Sequence, residues 1–169
     1  MFSGVAVIAL SIIVPSLWGV RLHRQVRAVR VDILALADAL TRFQNEYGVW
    51  PTQRTCGYGD CRFGDGFPNR ELMNALRAVD GPGNEGNSVN PQRIVFLSPP
   101  SHRGGISGLD ANGEYLDPWG RPFQIVLDTD VDGISSSEST VHKPRSAGGA
   151  LAWSCGPDRR SDTRDDIVP

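Results

Sequence analysis

The chain has 169 residues, of which 40% are hydrophobic and 21% charged, as expected for one globular domain with an appendage. Its 17 Lys and Arg residues against 19 Asp and Glu residues give a net charge of −2. This balance argues against a nucleic-acid partner, because such partners require a basic excess. Three cysteines exclude a disulfide-dense scaffold, and 19 Gly with 12 Pro predict a loop-rich body.

The amino end is free of charge. Residues 1–20 carry no Asp, Glu, Lys or Arg, and residues 5–14 are almost entirely aliphatic. Twenty helical residues reach about 30 Å, the thickness of a bilayer's hydrocarbon core. No basic residue precedes the apolar run, and residues 18–21 make a poor cleavage site, which disfavours a secretory signal peptide. Residues 1–20 are therefore predicted to be a transmembrane segment.

A helical stripe follows this segment without interruption. Apolar residues recur at alternating spacings of three and four: Leu22, Val26, Val29, Ile33, Leu36, Leu40, Phe43 and Tyr47. This spacing is typical of an amphipathic helix. Neither Gly nor Pro lies between Val20 and Tyr47, whereas Gly48 and Pro51 are suited to ending a helix. We expect one helix of about 45 residues, roughly 70 Å long, whose part from residue 21 to 48 lies against a head formed by residues 49–169.

The head is predicted to be α+β, with a small antiparallel sheet. In chain order the patterns indicate a loop over residues 52–68, a short helix over 69–79 capped by Asn69, and a strand over 93–97. A Pro-Trp-Gly turn follows at residues 117–120, then a strand over 123–127, a hairpin at Asp132-Gly133 and a last strand over 150–154.

Acidic residues at the carboxyl end are the first candidate metal ligands. Four carboxylates fall within nine residues: Asp158, Asp162, Asp165 and Asp166. Such clustering is repulsive unless a cation neutralises it, and calcium favours hard oxygen ligands in flexible geometry. The alternative is a solvated tail whose charge is already balanced by Arg159, Arg160 and Arg164.

Other candidate sites are weaker. Asp128, Asp130 and Asp132 copy the opening of an EF-hand loop, but a hairpin fits better, because Ser139 stands where the closing Glu belongs. Cys56 and Cys61 are a candidate local disulfide in an oxidising compartment, with metal binding less favoured. No catalytic signature is present, so an enzyme is not expected. Cys155 is expected to be a packed thiol rather than a nucleophile.

Several segments together resemble the major pseudopilins of bacterial type II secretion systems, within the type IV pilin-like proteins. Ile-Ile-Val-Pro at residues 12–15 and the segments at residues 32–40 and 43–52 resemble the family's long helix and the corner after it. Tyr-Leu-Asp-Pro-Trp-Gly-Arg-Pro-Phe-Gln at residues 115–124 is similar to its central turn. Trp-Ser-Cys-Gly-Pro-Asp at residues 153–158 and Asp-Asp-Ile at residues 165–167 are similar to its final loop. Residues 53–114 match only loosely.

The resemblance implies a pilin-like fold and a structural calcium ion in the final loop. Its implied ligands are the side chains of Asp158, Asp165 and Asp166 and the backbone carbonyls of Cys155 and Arg160. It also implies a non-enzymatic, single-pass inner-membrane protein with a periplasmic head.

The implied partners are further copies of the chain, other pseudopilins, an inner-membrane secretion platform and the lipid bilayer. The implied function is a filament that drives protein export. The alternatives are a type IV pilin or minor pilin, serving adhesion or DNA uptake, and a membrane-anchored calcium-binding domain that does not polymerise. The family begins with a basic leader and a Phe-Thr-Leu-Ile-Glu run, neither of which is present in this sequence. We therefore expect either an upstream start or a divergent member.

Overall fold

The computed structural model describes residues 3–56, 59–130, 132, 135–136, 145–146 and 149–169, and the side chains of its first helix from Gly19 onward. Within these residues the fold is α+β: one long helix, one short helix and small antiparallel sheets. The hairpin predicted at Asp132-Gly133 lies partly outside the described residues, because Gly133 is not among them.

The first helix, α1 (Ser3–Tyr47), runs through 45 residues without a break. It ends where the sequence predicts: Gly48 adopts a left-handed backbone (φ 71°) and donates its N–H to the carbonyl of Gln44 at 2.7 Å. The apolar stripe faces the core through Val29, Ile33, Leu36, Leu40 and Phe43, all fully buried. Leu22, the first residue of the stripe, is 40% exposed.

The predicted membrane segment is not supported. Among the residues described, no helix is long and apolar enough to cross a bilayer. In the part of α1 whose side chains are described, arginines at every third position from Arg21 to Arg30 interrupt every apolar window. The side chains of residues 5–14 lie outside the described residues. The finding contradicts the predicted single-pass location in the inner membrane.

The head is built on a three-stranded antiparallel sheet. Its strands lie in the order β1 (Cys61–Phe63), β4 (Gln124–Leu127) and β7 (Ala150–Trp153). Two further pairs occur among the described residues: β2 (Gly108–Leu109) with β3 (Tyr115–Leu116), and β5 (Ser135–Ser136) with β6 (Arg145–Ser146). Every residue of the central strand β4 is buried, because the strand is flanked on both edges and the long helix packs on the sheet through β7. Strand β1 falls inside the segment predicted to be loop.

The short helix α2 (Arg70–Leu76) is shorter than predicted, and Asn69 does not cap it through its side chain. The Asn69 amide instead donates to the carbonyls of Tyr115 and Phe123, at 3.0 Å each, and accepts the N–H of Tyr115 at 2.8 Å. Asn69 is fully buried. Its capping capacity is therefore used to join α2 to β3 and to the start of β4.

The segment from residue 93 to 97 is not a strand. Asn90, fully buried, donates to the carbonyls of Ala75 and Ile94 and accepts the N–H of Ile94. Phe96 donates its N–H to the carbonyl of Leu76, and its own carbonyl accepts from Arg42. Because these bonds satisfy the segment, it needs no neighbouring strand. The Phe96 ring is buried against Phe43 of α1, with centroids 5.1 Å apart, whereas Val95 is 58% exposed.

Candidate functional site

The final loop, residues 155–167, closes on itself. Ser154 and Ile167 exchange backbone hydrogen bonds of 3.0 and 2.9 Å, so the loop begins and ends at one bridge. Gly156 adopts φ 69°, and a Cβ there would lie 2.1 Å from the carbonyl oxygen of Asp165. Only glycine permits this approach of the two sides of the loop. The predicted ligands Asp158, Asp165 and Asp166 are thereby held in one closed segment.

The carboxylates of this loop accept hydrogen bonds from the loop itself. Asp165 accepts the N–H of Asp158 at 2.9 Å and the Thr163 hydroxyl at 2.8 Å. Asp166, buried, accepts the N–H of Asp162 at 2.9 Å, and Asp158 accepts the N–H of Arg160 at 2.8 Å. The fourth carboxylate, Asp162, is exposed and has a left-handed backbone (φ 66°).

The pKa of Asp165 lies below its ordinary value. Partial desolvation acts to raise this pKa, but the hydrogen bonds from the Thr163 hydroxyl and from the backbone of Asp158 outweigh it by stabilising the carboxylate. Asp165 therefore keeps its negative charge at any pH near neutrality. A carboxylate in this state is a suitable oxygen ligand for a hard cation.

The fit of this loop to calcium is partial. It contains four carboxylates, three of which are the predicted ligands, and the carbonyls of Cys155 and Arg160, but the Arg160 carbonyl already accepts from Thr163 at 3.3 Å. Asp158, Asp165 and Asp166 are not among the described side chains whose ligand atoms all lie within 4.8 Å of one another. Hydrogen bonds within the loop already hold it closed without an ion. Calcium binding by this loop therefore stays a prediction.

A different acidic group does meet that distance. Asp60, just before β1, joins Asp128 and Asp130 beyond β4, with one carboxylate oxygen of each within 4.8 Å of the others. Antiparallel pairing of Cys61 with Leu127 brings Asp60 close to Asp128, although 68 positions separate these two residues in the sequence. The group could hold a divalent cation, and nothing in it specifies calcium. The sequence pattern singled out Asp128 and Asp130, but not Asp60, because only strand pairing reveals its proximity.

Two polar links fasten the final loop to the rest of the head. Ser154 donates to Asp117 of the Pro-Trp-Gly turn, and Ser161 donates to Asp65 at 2.9 Å. Asp65 also pairs with Arg121. The turn and the final loop, two segments that carry the family resemblance, are therefore in direct contact.

The cysteines have separate roles. Cys56 and Cys61 are joined by a disulfide bond, with Cα atoms 5.3 Å apart. Cys155 is a buried free thiol, and burial raises its pKa. A raised thiol pKa disfavours the nucleophilic thiolate, as expected of a packed residue.

A groove lies where α1 leaves the head. It has a volume of about 520 Å³ and is lined mainly by apolar surface, including Leu22, Trp119 and Pro157. Two guanidinium groups, Arg21 and Arg159, stand at its edge. We call this feature the basal groove. Gln25 donates to the Gly105 carbonyl at 3.3 Å and ties the helix to the head beside it.

Comparisons with protein-family models, curated proteins and solved structures return no match.

Proposed function

We propose that this chain is a pseudopilin-like subunit, which assembles with further copies and with other pseudopilins into a filament that drives protein export by type II secretion. The observation that carries the proposal is the unbroken α1 of 45 residues, of which the head buries a continuous stripe only from Val29 onward. A head fixed to one end of a long helix leaves the remainder of the helix to pack against other copies.

The final loop supports the same proposal. It is a closed segment attached to the turn at Asp117, and both segments resemble their pseudopilin counterparts. We propose that calcium binds this loop through Asp158, Asp165 and Asp166, with backbone oxygens of Cys155 and Arg160. The ion would supply structural rigidity, and the proposed function contains no catalytic step.

Chemical cross-linking of the purified full chain tests the assembly. The proposal predicts a ladder of multimers that lengthens with protein concentration, because repeated contacts of one kind generate open assemblies. A chain that stays monomeric at all concentrations contradicts it.

Cellular export tests the secretion role. Deletion of the gene should abolish release of folded exported proteins, and the wild-type gene should restore it. If the deletion instead abolishes surface adhesion or DNA uptake and leaves export intact, the chain is a type IV pilin subunit.

A further inference from the structure

We infer that copies of this chain associate in a staggered manner, with the arginine-bearing stem of one copy against the head of the next. The stem is the described part of α1 from residue 19 to 31. The inference rests on the proposed filament and names the surfaces by which it forms. The receiving partner is a second copy of this chain.

The first argument is the distribution of charge. The stem carries Arg21, Arg24, Arg27 and Arg30, and no acidic residue precedes Asp32. All 19 acidic residues lie in residues 32–169, and the head itself, residues 49–169, holds 16 of them against 12 of the 17 basic residues, a net charge of −4. The stem of one copy is therefore attracted to the head of another, and stems repel stems.

The second argument is that the stem charges are exposed and available. Arg21, Arg24, Arg27 and Arg30 are all exposed, and no ion pair to any of them occurs among the described residues. A surface that is already neutralised within its own chain would have little electrostatic attraction for a partner. The four guanidinium groups of the stem therefore remain available to acidic groups of a partner.

The third argument is the apolar surface at the base of the stem. Val20 is 53% exposed, Leu22 is 40% exposed, and the basal groove beside them is lined mostly by apolar atoms. Apolar contact surrounded by charge is the usual composition of a protein interface. Arg21 and Arg159 at the groove edge select an acidic partner, and the head of another copy meets that requirement.

This arrangement excludes two simpler ones. In-register packing of parallel stems would place four guanidinium groups against four, and head-to-head pairing would bring together two heads that each carry a net charge of −4. The stem and the head are different surfaces, so their contact is heterologous. Heterologous contacts that do not close produce an open filament rather than a dimer.

Charge reversal in the full chain tests the inference. The variant Arg24→Glu/Arg27→Glu is compared with Arg93→Glu, which makes the same change at one exposed head position near the far end of α1. Sedimentation velocity is run in mild detergent at about 50 mM and about 1 M salt, between which the screening length falls severalfold. The stem variant should assemble at least about tenfold more weakly at low salt, and Arg93→Glu should not weaken assembly.

Mixing provides a second readout. The stem variant still offers an intact head, so it should cap wild-type assemblies and shorten them in proportion to the amount added. If the charge-reversed variant misfolds by circular dichroism, Arg24→Gln/Arg27→Gln replaces it. Wild-type multimers with an unaffected stem variant overturn the staggered contact alone. A wild-type chain that never assembles overturns both this contact and the proposed function.

Discussion

Ser154 donates a hydrogen bond to Asp117 across 2.6 Å, and both residues are completely buried. Asp117 also accepts the N–H groups of Trp119 and Arg121, at 2.9 and 3.0 Å. A buried carboxylate is tolerable only when such donors surround it. The Asp117 side chain therefore holds the Pro-Trp-Gly turn in shape and fastens the final loop to it.

Removal of the Ser154 hydroxyl should destabilise the head. Ser154→Ala leaves the Asp117 carboxylate short of one donor, and we expect a loss of about 1.5–3 kcal/mol in the free energy of unfolding. Urea denaturation measures this loss. Ser161→Ala is the control, since its bond to Asp65 lies at the surface and should contribute under about 1 kcal/mol. Equal losses of unfolding free energy in the two variants would contradict a larger contribution from the buried hydrogen bond between Ser154 and Asp117.

Truncation of Asn69 should be costlier than its position beside a short helix indicates. Asn69→Ala breaks three buried bonds to the backbone of Tyr115 and Phe123. The Tyr115 carbonyl keeps the N–H of Phe123, but the Tyr115 N–H and the Phe123 carbonyl lose the Asn69 side chain as a partner. We expect a loss of about 2–4 kcal/mol, measured by thermal and urea unfolding. Asn112→Ala, at an exposed turn, is the matched control. A loss below about 1 kcal/mol for Asn69→Ala would refute the proposed linking role.

The buried face of α1 and the core strand β4 could be predicted from the sequence, whereas the contacts of the buried asparagines could not. The helix stripe was predictable from Val29 to Phe43, because a period of 3.6 residues fixes one buried face. The core strand β4 was predictable from its run of apolar residues. Local patterns could not anticipate that Asn69 and Asn90 reach across the fold to satisfy distant backbone groups. The strand predicted over residues 93–97 failed for that reason.

The candidate site, too, could be predicted from the sequence only in part. The final loop was found through its resemblance and its clustered aspartates, which are adjacent in sequence. Asp60 was missed, since its approach to Asp128 depends on the pairing of β1 with β4. Leu22, at the start of the stripe, is 40% exposed, and periodicity could not anticipate this, because it locates a face of the helix and says nothing about how far the head extends along it.

The ionisation of Asp32 should make the stability of the fold depend on pH. Burial raises the pKa of Asp32, and its interactions with Ser107 and Tyr115 only partly oppose the rise. A carboxyl whose pKa is higher in the folded state contributes stability below its ordinary pKa and loses it as pH rises through the folded value. Above that pH, the variant Asp32→Asn should gain melting temperature relative to wild type, because it carries no charge to desolvate.

Thermal unfolding between about pH 3 and pH 8 measures the Asp32 effect. The control is Asp38→Asn on the exposed side of α1, whose pair with Arg42 lies at the surface and contributes little. A difference between wild type and Asp32→Asn that stays constant with pH would contradict the assigned cause.

Calcium should raise the melting temperature of the full chain, and chelation should reverse the rise, since a ligand that binds only the folded state stabilises it. Asp165→Asn should abolish the response and Asp128→Asn should preserve it. If Asp128→Asn abolishes the response and Asp165→Asn does not, the ion sits at Asp60, Asp128 and Asp130. No response in the wild type would remove calcium from the account.

Reduction of the disulfide should cost the head modest stability. Cys56 and Cys61 close a short loop, for which chain entropy gives about 2 kcal/mol. The double variant Cys56→Ser/Cys61→Ser should lose this amount, and reductant should lower the wild type to the same level. Mass spectrometry of unreduced peptides identifies the bond directly, and free thiols at both positions would contradict it.

The most direct test of the central claim is electron cryomicroscopy of the full chain after assembly at neutral pH. The proposed function predicts helical filaments with α1 helices packed along the axis and heads outside, each stem contacting the head of a neighbouring copy. Monomers, or closed dimers with no helical repeat, would contradict it.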